Sequence, residues 1–463
     1  MTDREASVAL EQAEREIYSH ILSRNPEHDF EPTLDRVREA CTLLGDPQRA
    51  YKVIHLTGTN GKTSTARMAE SLVRAHGLRT GLFTSPHLSS VRERIMIDGE
   101  PIGQEAFVRL WLEVSPFIHL VDAKSTKAGG PRMSFFEVLV VLAFAAFADA
   151  PIDVAILEVG MGGVWDATNV ADGDVAVIGP IALDHERWLG STLADIASEK
   201  VGIVEDGCVA VVAEQAEVVA ETLAAGLAQA ASVIREGEDV EVVDRAAAVG
   251  GQMLTLRTPA AVYEGVYLPL LGAHQSRNAS LALAAVEALL ADGGDAQSLA
   301  GDTVDAGFAA VTSPGRLETV RSSPTIVVDA AHNPHGVDAL AEAMQESFAF
   351  SHLVGVVGIL EDKDADGIFA GLEGLLDSVV VTQSSSSRAI GAEALGRMAV
   401  KHFGEDRVVV EPHLPSALDT AVQTAERDDD MGAGVLVVGS ITVVAEVRTL
   451  LSADKPRRGS GAS

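Results

Sequence analysis

The sequence predicts an α/β protein with two domains, each built on a mostly parallel sheet. The 463 residues are enough for two or three domains. Short apolar runs rich in β-branched residues recur along the chain, as is typical of parallel strands that are buried on both faces. Helical patterns separate these runs, which favours crossover connections between strands.

The predicted strands form two series separated by a turn-rich segment. They cover residues 52–56, 153–157, 175–178 and 209–212, and then 325–328, 353–357, 378–382, 408–410 and 435–438. Helices are predicted at 63–76, 337–348 and 417–427. The cluster Thr312-Ser313-Pro314-Gly315 marks the boundary between the series. The predicted domains are therefore 1–312 and 313–452, followed by a disordered tail at 453–463.

Composition narrows the possible functions. A formal net charge of −32 argues against a nucleic-acid partner, which requires clustered Lys and Arg. The longest apolar segment, 135–151, contains Glu137 and predicts a buried helix rather than a membrane span. Cys41 and Cys208 lie far apart and form no CxxC, and the acidic N-terminus lacks a signal-peptide pattern. A cytoplasmic protein without disulfides is expected.

Residues 55–65, HLTGTNGKTST, run from the end of a predicted strand to the start of a predicted helix. This is the context of a P-loop. Backbone N–H groups at the helix start would hold a triphosphate, and Lys62 would reach its terminal phosphates. Either Thr63 or Ser64 would offer a hydroxyl to Mg²⁺. The first glycine of the standard motif would fall at Leu56, so the match is incomplete, and a chance turn is the alternative. We predict a P-loop ATPase-like N-terminal domain and a smaller, Rossmann-like α/β C-terminal domain.

A P-loop requires an acid at the end of another strand to hold the metal. Glu158 is placed there by IDVAILEVGMGG, and the glycines after it would let a ligand approach; a capping or surface glutamate is the alternative. Asp184 and His185 follow an apolar segment, and Lys200 follows Glu199. From spacing alone, His185 is a structural histidine and Lys200 a solvated lysine.

Together these motifs resemble the folylpolyglutamate synthases of the Mur ligase superfamily. The order and spacing match for GTNGKTS, TSPHL (84–88), EVGMGGVWDATN (158–169), LDHERWLG (183–190), EKVGI (199–203), HQSRNA (274–279), PGRLE (314–318), DAAHNP (329–334) and LEDKD (360–364). The resemblance implies an ATP-dependent ligase that adds L-glutamate to folates through an acyl phosphate. Bacterial members are often bifunctional, which implies dihydrofolate synthase activity on dihydropteroate besides folylpolyglutamate synthase activity on reduced folates. It also makes 1–312 a Mur ligase-like ATP-binding domain and 313–452 a glutamate ligase domain.

The resemblance also implies site residues. Those for ATP, the co-substrate, are Gly58, Thr59, Asn60, Gly61, Lys62, Thr63, Ser64, Asn278, Arg316 and Asp329. Those for Mg²⁺ are Thr63 or Ser64, Ser85, Glu158, His185 and a carbamylated Lys200. Lys62, Glu158, His185 and Lys200 would be catalytic. The pterin side would use Trp165, Asp166, Ala167 and residues 30–33, whereas His332 and Ser440 would lie near the incoming glutamate. ATP would then lie between the domains, and the chain would act on small molecules as a monomer, with a dimer left open.

Some residues depart from the family pattern. Thr63 stands where the family usually has Gly, Trp165 replaces a more usual Leu, and Val201 a more usual Ala. None of these changes removes a proposed catalytic group.

Three other functions compete with this interpretation. A Mur-type UDP-muramoyl ligase would use the same chemistry, but only about 50 residues precede the P-loop, where such enzymes carry a full substrate domain. A P-loop ATPase switch would leave His185 and Lys200 unexplained. A catalytically dead homologue is disfavoured because Lys62, Glu158, His185 and Lys200 are all present.

Overall fold

The structure is a computed structural model, in which residues 3–26, 31–291, 297–427 and 432–453 are described. Phe30 and residues 454–463, to which two of the predictions refer, lie outside the described residues. The chain forms two compact units. The larger comprises the described residues up to Pro269 together with Gln275–Thr312, and the smaller comprises Leu270–His274 together with the described residues from Ser313 onward.

Helices and strands alternate along both units, as the sequence predicts. The helices are α1 Asp3–Leu22, α2 Asp35–Leu43, α3 Lys62–Ala75, α4 Gln104–Lys127, α5 Phe135–Asp149, α6 Glu186–Leu189, α7 Leu193–Lys200, α8 Glu217–Leu227, α9 Ala273–Ala291, α10 Gly301–Ala309, α11 Pro334–Ser347, α12 Ala365–Glu373, α13 Ala392–Phe403, α14 Leu414–Glu426 and α15 Ile441–Ala453. The strands are β1 Lys52–Thr57, β2 Thr80–Phe83, β3 Ile95–Ile97, β4 Glu100–Pro101, β5 Val154–Glu158, β6 Val175–Ile178, β7 Val209–Val212, β8 Ser232–Arg235, β9 Glu241–Ala248, β10 Gly251–Arg257, β11 Val262–Leu268, β12 Glu318–Ser322, β13 Thr325–Val328, β14 His352–Val357, β15 Ser378–Val381, β16 Val408–Val410 and β17 Ala433–Val438.

The large sheet of the larger unit has the order β4-β3-β2-β5-β1-β6-β7-β8 among the described residues. In this order, each strand from β2 to β8 pairs in parallel with the next. The remaining two pairs, β2 with β3 and β3 with β4, are antiparallel. The central strand β1 is therefore flanked by β5 and β6. Because parallel strands end at the same edge, the segments that follow β1, β5 and β6 come together there.

The smaller unit contains a second sheet with the order β12-β13-β17-β14-β15-β16 among the described residues. All neighbours pair in parallel except β12, which runs antiparallel to β13. The five predicted strands of the second series are confirmed, with ends that shift by no more than two residues. The predicted α/β class is thus confirmed in both units.

A separate three-stranded antiparallel sheet, β11-β10-β9, was not predicted. Along β10, buried residues recur at every second position from Gln252 to Leu256, as in a sheet with one covered face, whereas β9 has no buried residue. The two residues between β9 and β10 form a tight turn with Gly250 at φ 74°. Leu254 and Leu256 alternate with Thr255 and Arg257 in the sequence, but no strand was predicted there.

The apolar segment 135–151 forms α5, as predicted, and most of its side chains are buried. Glu137 does not interrupt this helix. It closes a capping box with Ser134, because its carboxylate accepts the Ser134 N–H while its own N–H donates to the Ser134 hydroxyl. Within the described part of the chain, no helix is long and apolar enough to cross a membrane.

Candidate active site

The predicted phosphate loop, residues 58–61, joins β1 to α3. Gly61 caps α3 with φ 82°, a left-handed value that few L-residues adopt. A Cβ on Gly61 would lie 2.5 Å from Oδ1 of Asn278, so α9 approaches the loop closely. The predicted ATP contacts Gly61 and Asn278 are therefore neighbours, although more than 200 residues separate them in the sequence.

Two lysines point to the same backbone carbonyl in this loop. Lys62 Nζ donates to Gly58 O at 3.0 Å and to Thr59 O at 3.2 Å. Lys200, at the end of α7, donates from Nζ to Gly58 O at 2.9 Å. Lys200 is buried, and burial lowers its pKa to about 7, with a further lowering from the charge of Lys62. The prediction from spacing that Lys200 is a solvated lysine is wrong.

Glu158 ends β5 beside the start of α3, as a metal-holding acid should. The Thr63 hydroxyl donates to its carboxylate at 2.9 and 3.1 Å, and the backbone N–H of Ser85 donates at 3.2 Å. Ser64 instead accepts a hydrogen bond from Gln275 Nε2 at 3.3 Å. The alternative of a surface glutamate is excluded, because Glu158 is only 1% exposed.

This donor set fits Mg²⁺. A carboxylate with a neighbouring hydroxyl suits a hard cation that keeps most of its own waters. Among the described residues there is no group of three or more His, Cys, Asp and Glu side chains that could hold a metal by themselves. A softer, fully protein-ligated ion such as structural zinc would require such a group.

The segment that leads to His185 is bound to the phosphate loop. Thr59 N–H donates to Pro180 O at 2.8 Å, and its hydroxyl both donates to Ala182 O and accepts from Ala182 N at 3.0 Å. His185 then precedes α6 in the N-cap position with φ 53°, in the left-handed region. Its N–H donates to Asp184 Oδ1 at 2.8 Å. These three hydrogen bonds, two donated and one accepted by Thr59, hold the chain that leads to His185 against the loop.

The side chain of Gln215, which was not among the predicted site residues, also holds this segment. Gln215, between β7 and α8, donates from Nε2 to Gly179 O at 2.9 Å and accepts from Ile181 N–H at 3.1 Å. Both ends of the amide are therefore used by one short stretch of backbone. No motif surrounds Gln215, so only the folded chain reveals this contact.

The segment after Glu158, residues 159–169, packs against α7. Val164 N–H donates to Glu199 O at 3.1 Å, and Trp165 N–H lies 3.4 Å from Glu199 Oε1. Burial raises the pKa of Glu199. Among the predicted pterin contacts, Asp166 and Ala167 are buried and Trp165 is partly exposed. Their contact with a substrate stays a prediction.

The smaller unit contains the remaining predicted residues. Asp329 follows β13, and its carboxylate oxygens accept from Leu317 N–H at 2.7 Å and Ala331 N–H at 2.8 Å, which hold the turn carrying Arg316. His332 Nδ1 donates to Ala330 O at 2.8 Å. Ser440 is buried after β17, and its hydroxyl accepts from Val443 N–H at 3.3 Å. Asp329, His332 and Ser440 follow the neighbouring strands β13 and β17, and Arg316 precedes β12, whose first residue pairs with the last residue of β13.

Two known domain families match this chain. The Mur ligase middle domain matches residues 108–286, and the Mur ligase glutamate ligase domain matches residues 315–441. These matches define the chain as an ATP-dependent ligase of the Mur ligase superfamily.

Comparisons with individual proteins identify the family within this superfamily. A Mycobacterium tuberculosis dihydrofolate synthase/folylpolyglutamate synthase is 50% identical over 455 residues, covering 94% of this chain and 93% of that protein. The Escherichia coli protein of the same name is 32% identical and covers 92% of each chain. A solved Mycobacterium tuberculosis folylpolyglutamate synthase complexed with ADP and AMPPCP superposes with a TM-score of 0.90 at 48% identity, over 96% of this chain and 99% of that one. The chain belongs to the dihydrofolate synthase/folylpolyglutamate synthase family.

Proposed function

We propose that this protein joins the amine of L-glutamate to a carboxylate of folate-type acceptors with the energy of ATP. It acts on dihydropteroate as a dihydrofolate synthase and on reduced folates as a folylpolyglutamate synthase. The observation that supports this most strongly is the meeting of the phosphate loop, Glu158 and the buried Lys200 in a chain of this family. A switch-type ATPase would have no use for a buried, readily neutral lysine at its phosphate loop.

The first chemical step overcomes the low reactivity of a carboxylate. An oxygen of the acceptor carboxylate attacks the γ-phosphorus of ATP, the bond to the β-phosphate oxygen breaks, and ADP leaves. Lys62 lies in the loop that would hold these phosphates and offers its charge to the transferring group. The product is an acyl phosphate, whose carbonyl carbon is a good electrophile.

In the second step the neutral amine of L-glutamate attacks the acyl carbon. The new C–N bond replaces the C–O bond to phosphate, which leaves, and the amine gives up a proton to solvent. We propose that His332 and Ser440 orient the incoming glutamate, and that Arg316 and Asp329 contact the nucleotide. Their positions at strand ends of the smaller sheet support these roles, because ligands of open parallel sheets bind at that edge.

Magnesium would be held by Thr63, Glu158 and the segment of Ser85, with His185 and a carbamylated Lys200 contributing a second set of ligands. The Thr63 hydroxyl is favoured over that of Ser64, because Thr63 already faces Glu158. When bound, Mg²⁺ would stabilise the negative charge that spreads over the transferring phosphoryl group.

Carbamylation of Lys200 is chemically reasonable at this position. Only a neutral amine adds CO₂, forming an N–C bond with loss of one proton. A lysine with a pKa of about 7 is largely neutral above neutral pH, whereas an exposed lysine is not. The carbamate would change Lys200 from a hydrogen-bond donor to an oxygen ligand, so its present bond to Gly58 O would be given up.

Cellular context follows from the same proposal. The substrates are small molecules, and we propose that the protein works as a cytoplasmic monomer. Two buried free cysteines are compatible with a reducing compartment.

The test is acceptor-dependent phosphate release. Purified protein would receive MgATP and L-glutamate, with dihydropteroate, tetrahydrofolate or a UDP-muramoyl precursor added separately, while product masses are read in parallel. Release with both pteridines, with a mass gain of one glutamate, is expected. Release with one pteridine would restrict the function to that activity.

Two outcomes would contradict the proposal. Release only with the UDP compound would make the protein a cell-wall ligase. Release that is equally fast without any acceptor would make it an ATPase switch.

A further inference from the structure

A buried chain of polar side chains connects the centre of the large sheet to the segment after Glu158. His55, in the middle of β1, is 0% exposed, and its Nε2 lies 2.9 Å from the hydroxyl of Thr168. Thr168 is also 0% exposed, and its hydroxyl donates to Oδ1 of Asp166. No prediction from the sequence gave His55 or Thr168 a role.

The direction of these hydrogen bonds follows from the partners. The Thr168 hydroxyl has one proton and gives it to the Asp166 carboxylate, so its oxygen must accept from His55. His55 therefore carries its proton on Nε2. Burial lowers the pKa of His55 to about 3, which keeps the imidazole neutral. The chain thus has one polarity, from His55 through Thr168 to Asp166.

Asp166 connects the Thr168 hydroxyl to the backbone of the segment 161–168. Its Oδ2 accepts from Met161 N–H at 3.0 Å, and its Oδ1 also accepts from Thr168 N–H at 3.0 Å. The carboxylate therefore bridges both ends of the segment 161–168. Its orientation is set by the Thr168 hydroxyl on one side and by Met161 on the other.

Stability alone does not account for this arrangement. Nδ1 of His55 is buried and has no hydrogen-bond partner among the described residues. An unpaired buried acceptor is costly, and an apolar residue at the centre of a parallel sheet would avoid that cost. Local rules of this kind are broken most often where a function requires it.

We propose that His55 and Thr168 are positioning residues that orient Asp166, and with it the segment 161–168, toward the pteridine acceptor. This inference rests on the proposed function and extends it to residues behind the binding surface. Neither residue would touch the acceptor, since both are fully buried. Their effect would reach the substrate only through Asp166.

The test compares two substitutions at one position. Thr168→Val keeps the shape and removes the hydroxyl, whereas Thr168→Ser keeps the hydroxyl and removes a methyl group. With dihydropteroate as acceptor, Thr168→Val should raise the acceptor KM about tenfold while kcat and the KM for ATP stay within about threefold. Thr168→Ser should restore an acceptor KM close to that of the unmodified protein.

A matched control separates positioning from stability. Thr258 is another buried threonine whose hydroxyl donates to a carboxylate, Glu287 Oε1, at 3.0 Å, in a different part of the larger unit. Thr258→Val should lower the urea midpoint as Thr168→Val does, yet leave the acceptor KM unchanged. Equal changes in acceptor KM for the two valine variants would overturn the proposal.

Two further outcomes are decisive. An unchanged acceptor KM in Thr168→Val would also overturn the proposal, as would a serine variant that fails to restore it. Failure of the proposed function looks different, because the unmodified protein would then release no phosphate with any pteridine. In that case equilibrium binding of dihydropteroate by fluorescence, in place of KM, would still compare the variants: weaker binding by the valine variant alone supports the proposal, and equal binding overturns it.

Discussion

A single methyl group added at Gly163 should impair catalysis. A Cβ at this residue would lie 2.5 Å from Glu199 O, 2.9 Å from Lys200 O and 3.0 Å from Lys200 Cα. All three atoms belong to the backbone at the end of α7, so no side chain can rotate away. Gly163→Ala should therefore push the segment 159–169 and the end of α7 apart.

The size of the displacement can be worked out from these distances. Ordinary contact of a methyl group with a carbonyl oxygen requires about 3.4 Å, so the backbone must move by roughly 0.9 Å at Glu199 and roughly 0.5 Å at Lys200. Overpacking of this kind costs about 1–3 kcal/mol of folding free energy, which the protein should survive. Misplacement of a catalytic group by about 1 Å can lower the rate about 100-fold, so we expect kcat to fall about 10- to 100-fold.

The assay is acceptor-dependent phosphate release, with ADP binding and the urea midpoint measured on the same samples. ADP binding should stay nearly unchanged, because the residues 58–64 are not displaced. Gly301→Ala is the control, since nothing lies within 4 Å of a Cβ there and Gly301 begins α10. If Gly163→Ala kept kcat within about threefold of the unmodified protein, the placement of Lys200 in the site would be refuted.

Three further predictions follow from individual residues. Lys62→Ala should abolish ATP-dependent ligation without unfolding the protein, because its ammonium serves the phosphates; near-normal turnover would contradict the P-loop assignment. Glu158→Gln should raise the Mg²⁺ concentration for half-maximal activity at least about tenfold and weaken Mn²⁺–ADP binding measured by electron paramagnetic resonance. For His55, the folded-state pKa of about 3 lies below the ordinary 6.5, so its protonation favours unfolding as the pH falls below 6.5. Between pH 7.5 and 5.5 this should cost about 1.4 kcal/mol, and His55→Gln should remove that share of the pH dependence in urea titrations.

The regular elements were predictable because their signals are local. The strand β1, the glycine-rich turn and α3 follow one another directly, and so do β5 and Glu158. Each can be recognised from a window of about ten residues, within which the apolar period and turn residues show. The antiparallel sheet β9–β11 was not predicted; only β10 alternates regularly, and β9 has no buried residue.

Contacts within the site were less accessible to sequence reasoning. Ser85 and Lys200 look ordinary in their own neighbourhoods, and only the resemblance to a family indicated them. The structure then brings Ser85 N–H to Glu158 and Lys200 Nζ to Gly58, across 73 and 142 residues of sequence. Thr168 lies within the motif 158–169 and His55 within 55–65, but neither was assigned a role, and no motif includes Gln215.

The sequence by itself determined the two-unit α/β class and the family, and it predicted the phosphate loop and its acid. These depend on apolar periodicity, on glycines at backbone positions that other residues disfavour, and on motifs whose order survives in the chain. Only the tertiary structure decided that the Thr63 hydroxyl rather than that of Ser64 faces Glu158. It also decided that Lys200 is buried with a pKa of about 7. The physical reason is that burial and hydrogen bonding depend on neighbours supplied by distant segments, and these meet only when the parallel strands align their ends at one edge of the sheet.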